Sequence, residues 1–264
     1  MKNIMKAIRY QTLRDNVTYY ILIGMLALFG ITLYSEMNGL LNLTGSGYAS
    51  NSTIIYGALS SMAILLFTTR IFGWDYTDKT LNYEILIGHS RKDAFWGRVL
   101  VSLSWALPFM IIIMFVPLLL LTAINGWGIY SDMSNIIIRW VLSIFPMFRL
   151  FCESVLITTL LKNCYLGLVI GFLFTEVTYS VMLAIEEMGK IELGLFSVIQ
   201  STFNMDKLIA CHDYTFEYIN GKDEMVFITE IDPVFAVLSV AVSLLVGSGC
   251  LMLSYRYFRK TDLN

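Results

Sequence analysis

Six largely apolar runs of 18 residues or more constrain this 264-residue chain more than any other feature. A bilayer core is about 30 Å thick and takes about 20 helical residues to cross. The runs that reach this length are 17–34, 53–72, 99–124, 136–161, 164–185 and 233–255. With 57% hydrophobic and 14% charged residues, the composition is far from that of a soluble domain. Lipid offers the backbone no hydrogen-bond partners, so the sequence predicts an all-α membrane protein with six transmembrane helices.

The basic residues predict which side of the membrane each loop faces. If the N-terminus is cytosolic, six spans return the C-terminus to the cytosol. The inner segments then hold 13 Lys and Arg residues, and the outer segments hold only three. Cytosolic loops carry an excess of basic residues, so both termini are expected to be cytosolic. The outer segments also contain 12 acidic residues.

Residues 1–16 are predicted to form an interfacial amphipathic helix ahead of a six-span domain, 17–264. Their apolar and basic side chains separate onto opposite faces, with Ile4, Met5 and Ile8 on one and Lys2, Lys6 and Arg9 on the other. This pattern is typical of a helix lying in the membrane interface, with its lysines reaching the headgroups. A basic tail that only sets the topology fits the same residues.

The stretch from Asp75 to Arg98 packs eight charged residues into 24 positions between two apolar runs. Ser90-x-x-Asp93 is typical of a helix start, so the third membrane helix is predicted to begin at Ser90 in the cytosol. Gly88 is predicted to end a separate short helix before it. That helix has two apolar stripes, Tyr76, Thr80, Tyr83 and Ile87 on one side and Leu81 and Ile85 on the other. Two stripes favour a helix held between the membrane domain and a partner; an imperfect interfacial helix is the alternative.

This layout resembles the permease subunit of a type-2 ATP-binding-cassette exporter. The likeness is most specific in "DKTLNYEILIGHSRKDAFWGRVL", residues 78–100, where a Thr-Leu helix, a break, Ser-Arg and a basic residue precede the span. The resemblance implies that residues 75–89 are the cytosolic coupling helix, which seats on the ATP-binding subunit. The residues expected to contact that ATPase are Tyr76, Lys79, Leu81, Tyr83, Ile85, Leu86 and Arg91.

The resemblance also implies a function, which is export of an amphipathic or hydrophobic compound such as an antimicrobial peptide, a drug or a lipid. No G-x-x-x-x-G-K-[ST] occurs in the chain, so it has no P-loop for ATP. The chain is therefore expected to be no enzyme and to hold no cofactor, with ATP and Mg²⁺ bound by the partner subunit. A membrane sensor or scaffold that docks a cytosolic signalling partner is the competing hypothesis.

The partners that the resemblance implies are an ATPase subunit, a second permease copy in a homo- or heterodimer, and the lipid bilayer, with no nucleic acid. Members that export drugs or sodium or confer bacteriocin immunity are similar in length. The expected location is the bacterial cytoplasmic membrane. The only histidines, His89 and His212, lie outside the apolar runs, so no metal site is expected in the spans.

Residues 186–232 form a long acidic segment between spans five and six, predicted to be an extracellular loop. Its first part, 192–210, is too polar to span but apolar enough to lie on or dip into the outer leaflet as a short helix. Its second part, 214–231, is predicted to be a β-hairpin around an Asn220-Gly221 turn. A strict two-residue turn would set Glu217 opposite Glu224, an unfavourable pairing. A longer loop is therefore expected, and a cation or a partner between the two glutamates is the alternative.

The charged residues inside the predicted spans include Arg149 and Glu153 in span four and Glu176 in span five. At 1.5 Å per residue, Arg149 and Glu176 both lie about 18–20 Å above the inner turn between these spans. An unpaired Arg at the bilayer centre costs about 2.5–3.5 kcal/mol or more. Arg149 is therefore predicted to pair with Glu176, and Glu153 could share it. The cluster either fixes the spans or lines a substrate path.

Overall fold

The computed structural model describes residues 2–37, 44–51, 53–78, 85–211, 214–219 and 222–260. The α-helices are α1 Lys2–Arg14, α2 Asn16–Met37, α3 Gly45–Asn51, α4 Thr53–Thr77, α5 Arg91–Asn125, α6 Met133–Leu161, α7 Cys164–Gly189, α8 Ser201–Ile209 and α9 Pro233–Lys260. A 3₁₀ helix, Gly194–Ile199, precedes α8, and strands β1 Tyr214–Ile219 and β2 Lys222–Phe227 follow it.

The fold class predicted from the sequence is confirmed. Five of the described helices, α4, α5, α6, α7 and α9, are long and apolar enough to cross a membrane. The pair of α1 and α2, bent by 65°, forms a sixth candidate span. Each of the six apolar runs lies within one long helix. The chain is therefore a multi-pass membrane protein, with a short helix and a two-stranded sheet between its last two spans.

Side-chain caps define the helix ends at two of the connections. Ser90 accepts a hydrogen bond from the Asp93 N–H at 3.0 Å and begins α5, as predicted. The turn between α6 and α7 has only two residues, Lys162 with φ 51° and Asn163. The Asn163 side chain accepts the backbone N–H groups of Tyr165 and Leu166 at 2.9 and 3.1 Å. These caps satisfy amide groups that a helix leaves open at its start.

The junction of α1 and α2 is held by Asp15. Its carboxylate accepts the Val17 N–H at 3.2 Å and the Thr18 hydroxyl at 2.8 Å, and it forms an ion pair with Arg70 of α4 at 2.7 Å. Partial burial by itself would raise the pKa of Asp15. The hydrogen bonds from Arg70 and Thr18 outweigh that effect and hold the pKa below its usual value, so the group is ionised at neutral pH.

The two faces of α1 match the sequence pattern. Ile4 and Ile8 are buried, whereas the basic side chains of the helix are exposed. The buried face packs on Ile71 of α4 and Val101 of α5, so it covers the protein's own bundle. Interfacial placement of the basic face stays a prediction.

One end of the bundle gathers α1, the end of α4, the start of α5, the α6–α7 turn and the end of α9. Twelve of the thirteen bases that the sequence assigns to the cytosol belong to these segments, and the thirteenth, Lys79, lies outside the described residues. By the positive-inside rule this is the end predicted to be cytosolic, and we call it the cytosolic end. At the opposite end, α3 and the α5–α6 connection are joined by a backbone hydrogen bond from Ser46 to Trp127.

The β-hairpin is confirmed, but its expected longer loop is wrong. Strands β1 and β2 pair antiparallel with Ile219 opposite Lys222, so only two residues separate the strands. Glu217 and Glu224 are consequently partners. The turn residues Asn220 and Gly221 lie outside the described residues. The turn register and cross-strand contacts such as that between the Tyr214 and Phe227 rings outweigh one like-charge pair.

The tip of the β-hairpin is predicted to be dispensable for folding, whereas the segment that joins β2 to α9 is predicted to be required. Replacing residues 215–226 with Asn-Gly should cost less than about 1 kcal/mol, because the described side chains there are largely exposed. Extending the deletion through Thr229 and Glu230 removes carbonyls that bind Arg139 and should cost about 2 kcal/mol. Thermal unfolding in detergent measures both. Equal losses from the two deletions would contradict this division.

Gly73 of α4 is predicted to be intolerant of any side chain. A Cβ there would lie 2.7 Å from a methyl of Thr158 and 2.9 Å from the Cα of Cys164, at the α6–α7 turn. Gly73→Ala should therefore destabilise the protein by about 1–3 kcal/mol. Gly24→Ala in α2 is the matched control, since no atom lies within 4 Å of its Cβ position. Unfolding temperatures that fall equally in both variants would refute the close packing.

Candidate functional site

The predicted coupling segment is described in part. Lys79, Leu81 and Tyr83 lie outside the described residues. The other four predicted contact residues are described: Tyr76, Ile85, Leu86 and Arg91.

Leu86 and the adjacent Ile87 project from the cytosolic end of the bundle. Their side chains are 80% and 78% exposed. Gly88 follows with φ 102°, and its N–H donates to the Ile85 carbonyl at 3.0 Å. Gly88 therefore closes the turn after Leu86 as a predicted helix stop would, because a left-handed backbone conformation suits glycine, while residues 79–84 of the predicted short helix lie outside the described residues. Two neighbouring large apolar side chains are thus held out from the surface by a defined turn.

Two arginines hold the segment after this turn. Arg91 donates to the Arg259 carbonyl in the last turn of α9 at 2.9 Å. Arg98, with 0% exposure, pairs with Asp75 of α4 at 2.7 Å and also donates to the Ala94 carbonyl. Breaking a buried pair of this kind strands a charge in the interior, so the start of α5 and the end of α4 are fixed to each other.

Tyr76 is placed differently from the exposed pair. Its ring lies within the bundle, 6.1 Å from Phe72 and 6.2 Å from Phe258. Phe95 of α5 contacts both phenylalanines and also Tyr255 of α9. This aromatic cluster joins α4, α5 and α9 directly beneath the segment. Edge-to-face and tilted ring pairs add to the burial of apolar area, so the three helix ends form one packed unit.

The 3₁₀ helix and α8 form a re-entrant hairpin along α6. At its outer end, Arg139 donates to the carbonyls of Lys207, Leu208 and Ala210, which close α8. Ten residues further along α6, Arg149 meets the other end of the hairpin. Ten helical residues span about 15 Å, close to the length of the nine-residue α8. The turn of the hairpin therefore lies about halfway along α6, and the expected position on or in the outer leaflet stays a prediction.

Arg149 binds Glu153, which the sequence offered as a partner, and two backbone carbonyls that sequence reasoning missed. Its Nε donates to Glu153 at 2.7 Å, Nη1 donates to the Val198 carbonyl at 2.9 Å, and Nη2 donates to the Ile199 carbonyl. The second carboxylate oxygen of Glu153 accepts the Ser201 hydroxyl at 2.8 Å. A buried arginine thus receives a counter-ion together with two carbonyls from the turn of the re-entrant hairpin.

The predicted pairing of Arg149 with Glu176 is wrong. No salt bridge joins Glu176 to any described residue, and its side chain is exposed on α7. The two residues do lie at a similar height above the α6–α7 turn. Equal height does not determine the direction in which two side chains point around their helix axes. The re-entrant hairpin also supplies backbone carbonyls to Arg149, which a continuous span could not. The signal available in the sequence was the second arginine, Arg139, at a spacing that matches a short helix.

A cavity of about 340 Å³ lies beside the Arg149–Glu153 pair. Its other walls come from α7 and the re-entrant turn: Phe174, Val177, Thr178, Val181, Met182, Ile199, Gln200 and Ser201. The lining is mainly apolar and includes one ion pair. Such a site can take an amphipathic molecule whose polar group reaches the pair while its apolar part contacts α7.

Glu176 borders a second, smaller cavity of about 90 Å³ between α4, α7 and α8. Tyr179 and Asp206 line it too, with the Tyr179 hydroxyl donating to Asp206 at 3.3 Å. Across the described ranges, no group of three His, Cys, Asp or Glu residues could hold a metal ion. Glu176 is nevertheless a carboxylate in the middle of a span, where charge is expensive without water or a partner.

Neither a scan against family models nor a search of curated proteins finds a match to this chain. The likeness to exporter permeases consequently depends on the layout of the helices and on the residues of the cytosolic segment.

Arg149 and Glu153 are predicted to stabilise the fold as a coupled pair, and Glu176 is predicted to make no contribution to this coupling. Arg149→Gln strands the Val198 and Ile199 carbonyls and a carboxylate, so it should cost about 3–5 kcal/mol. Glu153→Gln should cost less, and the double variant less than the sum, with an interaction of about 0.5–3 kcal/mol. Thermal unfolding in detergent measures each variant.

Glu176→Gln is the matched control for this cycle, because it removes a carboxylate at a similar height in the neighbouring span. Its unfolding temperature should stay close to that of the wild type. Strictly additive losses for Arg149 and Glu153, or coupling of Arg149 to Glu176, would contradict the observed partners.

Proposed function

We propose that this chain is the permease subunit of a type-2 ATP-binding-cassette exporter, driven by ATP hydrolysis in a separate subunit. One observation supports this most strongly. Leu86 and Ile87 are exposed at the basic end of the bundle, on a turn that is tied to three spans. An exposed apolar pair of this kind fits the insertion of a short helix into a groove on a partner.

The mounting of the turn favours a mechanical role. Arg98 and Asp75 join α5 to α4, and Arg91 joins the segment to the end of α9. A push on the docked turn would move these three helix ends together rather than bend a loose loop. Bistable packed units of this kind convert small displacements into helix rearrangements.

The last span provides a connection from the cytosolic end to the re-entrant hairpin. In α9, Ser239 donates to the Asn204 side chain of α8 at 2.9 Å, and both residues are buried. Near the other end of the same helix, Phe258 packs in the aromatic cluster. A rigid-body shift of α9 would therefore reach both the docking segment and the cavity beside Arg149. This is a proposed route of coupling, and double-variant measurements would test it.

The substrate class that suits the cavity beside Arg149 is an amphipathic or hydrophobic compound, such as an antimicrobial peptide, a drug or a lipid. The apolar wall on α7 would accept a hydrophobic part, and the ion pair would orient a polar group. Export is the proposed direction. The acidic outer loop would meet the substrate after it passes the re-entrant hairpin.

A second permease copy is proposed to pack against α7. The buried residues of α7, including Gly167 and Gly171, face α6 and α4 of the same chain. The remaining face is apolar and exposed, with Glu176 near its middle. A carboxylate facing lipid at this depth is unfavourable, so a copy of the permease with water between the protomers would relieve the cost. The transport path would then run between the two copies.

A sensor or scaffold that docks a cytosolic signalling protein remains the second candidate, because the exposed pair would serve it equally well. The two functions differ in the step after docking. A permease transfers ATP hydrolysis into substrate movement, whereas a scaffold binds its partner without substrate-dependent hydrolysis.

Leu86 and Ile87 are predicted to form the ATPase contact. Leu86→Ser/Ile87→Ser should reduce co-purification with the proposed ATP-binding-cassette subunit by tenfold or more, because losing two side chains that the docked partner would bury costs on the order of 2–4 kcal/mol. Hydrolysis by the complex in nanodiscs should lose its dependence on the permease. The unfolding temperature of the isolated permease should stay unchanged, since both side chains are exposed.

Leu13→Ser is the control, an exposed apolar side chain on α1 away from the segment. It should bind the ATPase as the wild type does. Normal co-purification and coupled hydrolysis in the double variant would reject the docking assignment. If the double variant loses binding but the wild-type complex shows no hydrolysis that depends on this chain, the scaffold is favoured.

A further inference from the structure

A cavity of about 470 Å³ lies between α1 and α4 at the cytosolic end, and we call it the elbow cavity. Its lining from α1 includes Tyr10, Gln11 and Arg14, and its lining from α4 includes Arg70 and Trp74. It is separate from the docking turn and from the cavity beside Arg149. Neither ATPase docking nor substrate export requires it.

Arg70 is fixed in this cavity with donors to spare. Only 8% of it is exposed, and its guanidinium lies 3.4 Å above the Trp74 ring. Asp15 engages Nε and Nη2 through one carboxylate oxygen. Nη1 meets no hydrogen-bond acceptor among the residues that the structure describes. An arginine held by an aromatic face and a carboxylate presents its remaining N–H groups in a set direction.

Arg14 adds a second guanidinium to the same cavity. Its central carbon lies 4.5 Å from the Tyr10 ring centroid, and no carboxylate in the described part of the chain pairs with it. The carboxylates that line the cavity are already neutralised, Asp15 by Arg70 and Asp75 by Arg98. The charge left uncompensated there is therefore the positive charge of Arg14.

The position of the cavity relates it to the membrane surface. It lies at the junction of α1 and α2, where the chain enters its first span. Beyond Thr18, α2 leads away from the cavity with exposed apolar side chains, among them Tyr20 and Ile23 with 70% and 60% exposure. Aromatic side chains such as Trp74 and Tyr10 are typical of the headgroup level of a bilayer.

We propose that the elbow cavity binds the phosphate of an inner-leaflet phospholipid, held by Arg14 and by the free Nη1 of Arg70. Gln11 would donate to a further phosphate oxygen, and the acyl chains would run along the exposed face of α2. Arginine suits a phosphate because its planar donors match two oxygens at once. Bound lipid would brace the 65° bend between α1 and α2.

A phospholipid fits better than a free phosphate ester, because the site combines a headgroup-level anion cradle with an adjacent apolar helix face. The test is native mass spectrometry of the full-length detergent-solubilised protein titrated with dioleoylphosphatidylglycerol. A hydrogen-bonded charge contact contributes about tenfold in affinity. Arg14→Gln should therefore weaken binding of this lipid about tenfold, and Arg70→Lys should weaken it while keeping an ion pair with Asp15.

Arg9→Gln is the matched control, because Arg9 is an exposed arginine of α1 outside the cavity. It should bind the lipid like the wild type. Equal losses in Arg9→Gln and Arg14→Gln would overturn the proposal in favour of non-specific attraction. Displacement by an equal concentration of glycerol 3-phosphate would assign the cavity to a soluble phosphate ester. Equally tight binding of dioleoylglycerol, which lacks the phosphate, would also reject the anion cradle.

Discussion

Backbone carbonyl groups at the end of a helix must find hydrogen-bond donors when that end lies within a bilayer, and α6 supplies them from two arginines. An unsatisfied group in hydrocarbon costs several kcal/mol, so the re-entrant hairpin depends on these contacts. Arg139 takes the carbonyls that close α8, and Arg149 takes those at the hairpin turn. Arginine suits both places because its five N–H donors spread in a plane and stay charged. The hairpin in turn shapes both intramembrane cavities and contacts α9.

At the cytosolic end, a buried arginine pairs with a side-chain carboxylate and determines which helix ends meet. The Arg98–Asp75 pair is buried, and such a pair gives little net stability compared with apolar side chains of the same volume. It does specify which helix ends meet, because either charge left alone would be strongly unfavourable. The aromatic cluster around Phe95 then packs the same ends together. A turn mounted in this way can pass on force, as the proposed docking would require, whereas a flexible connection would absorb it.

The outcome for single residues shows where sequence reasoning works. The start of α5 at Ser90 and the helix stop at Gly88 were predictable, because caps are local and depend on a few neighbouring residues. The carbonyl partners of Arg149 were not, and the preferred carboxylate, Glu176, was wrong. A residue count gives height along a helix but not the direction of a side chain, and the carbonyls of Val198 and Ile199 are invisible to any argument from side-chain types. The hairpin register followed its two-residue turn despite the opposed glutamates, since one cross-strand repulsion is small beside the turn preference.

By itself, the sequence determined that this chain is a multi-pass helical membrane protein, where its spans begin and end, and that its basic segments share one side. Those properties follow from hydrophobic length, local caps and the count of charges, which need no knowledge of neighbours. Only the tertiary structure decided that Arg149 binds Glu153 and a re-entrant turn, that Tyr76 points into the bundle while Leu86 points out, and that α1 and α4 enclose a cavity at Arg70. The physical reason is that each of these depends on rotation about a helix axis and on backbone groups far apart in the chain. Neither the rotation of a helix about its axis nor the position of distant backbone groups can be read from the sequence of residue types.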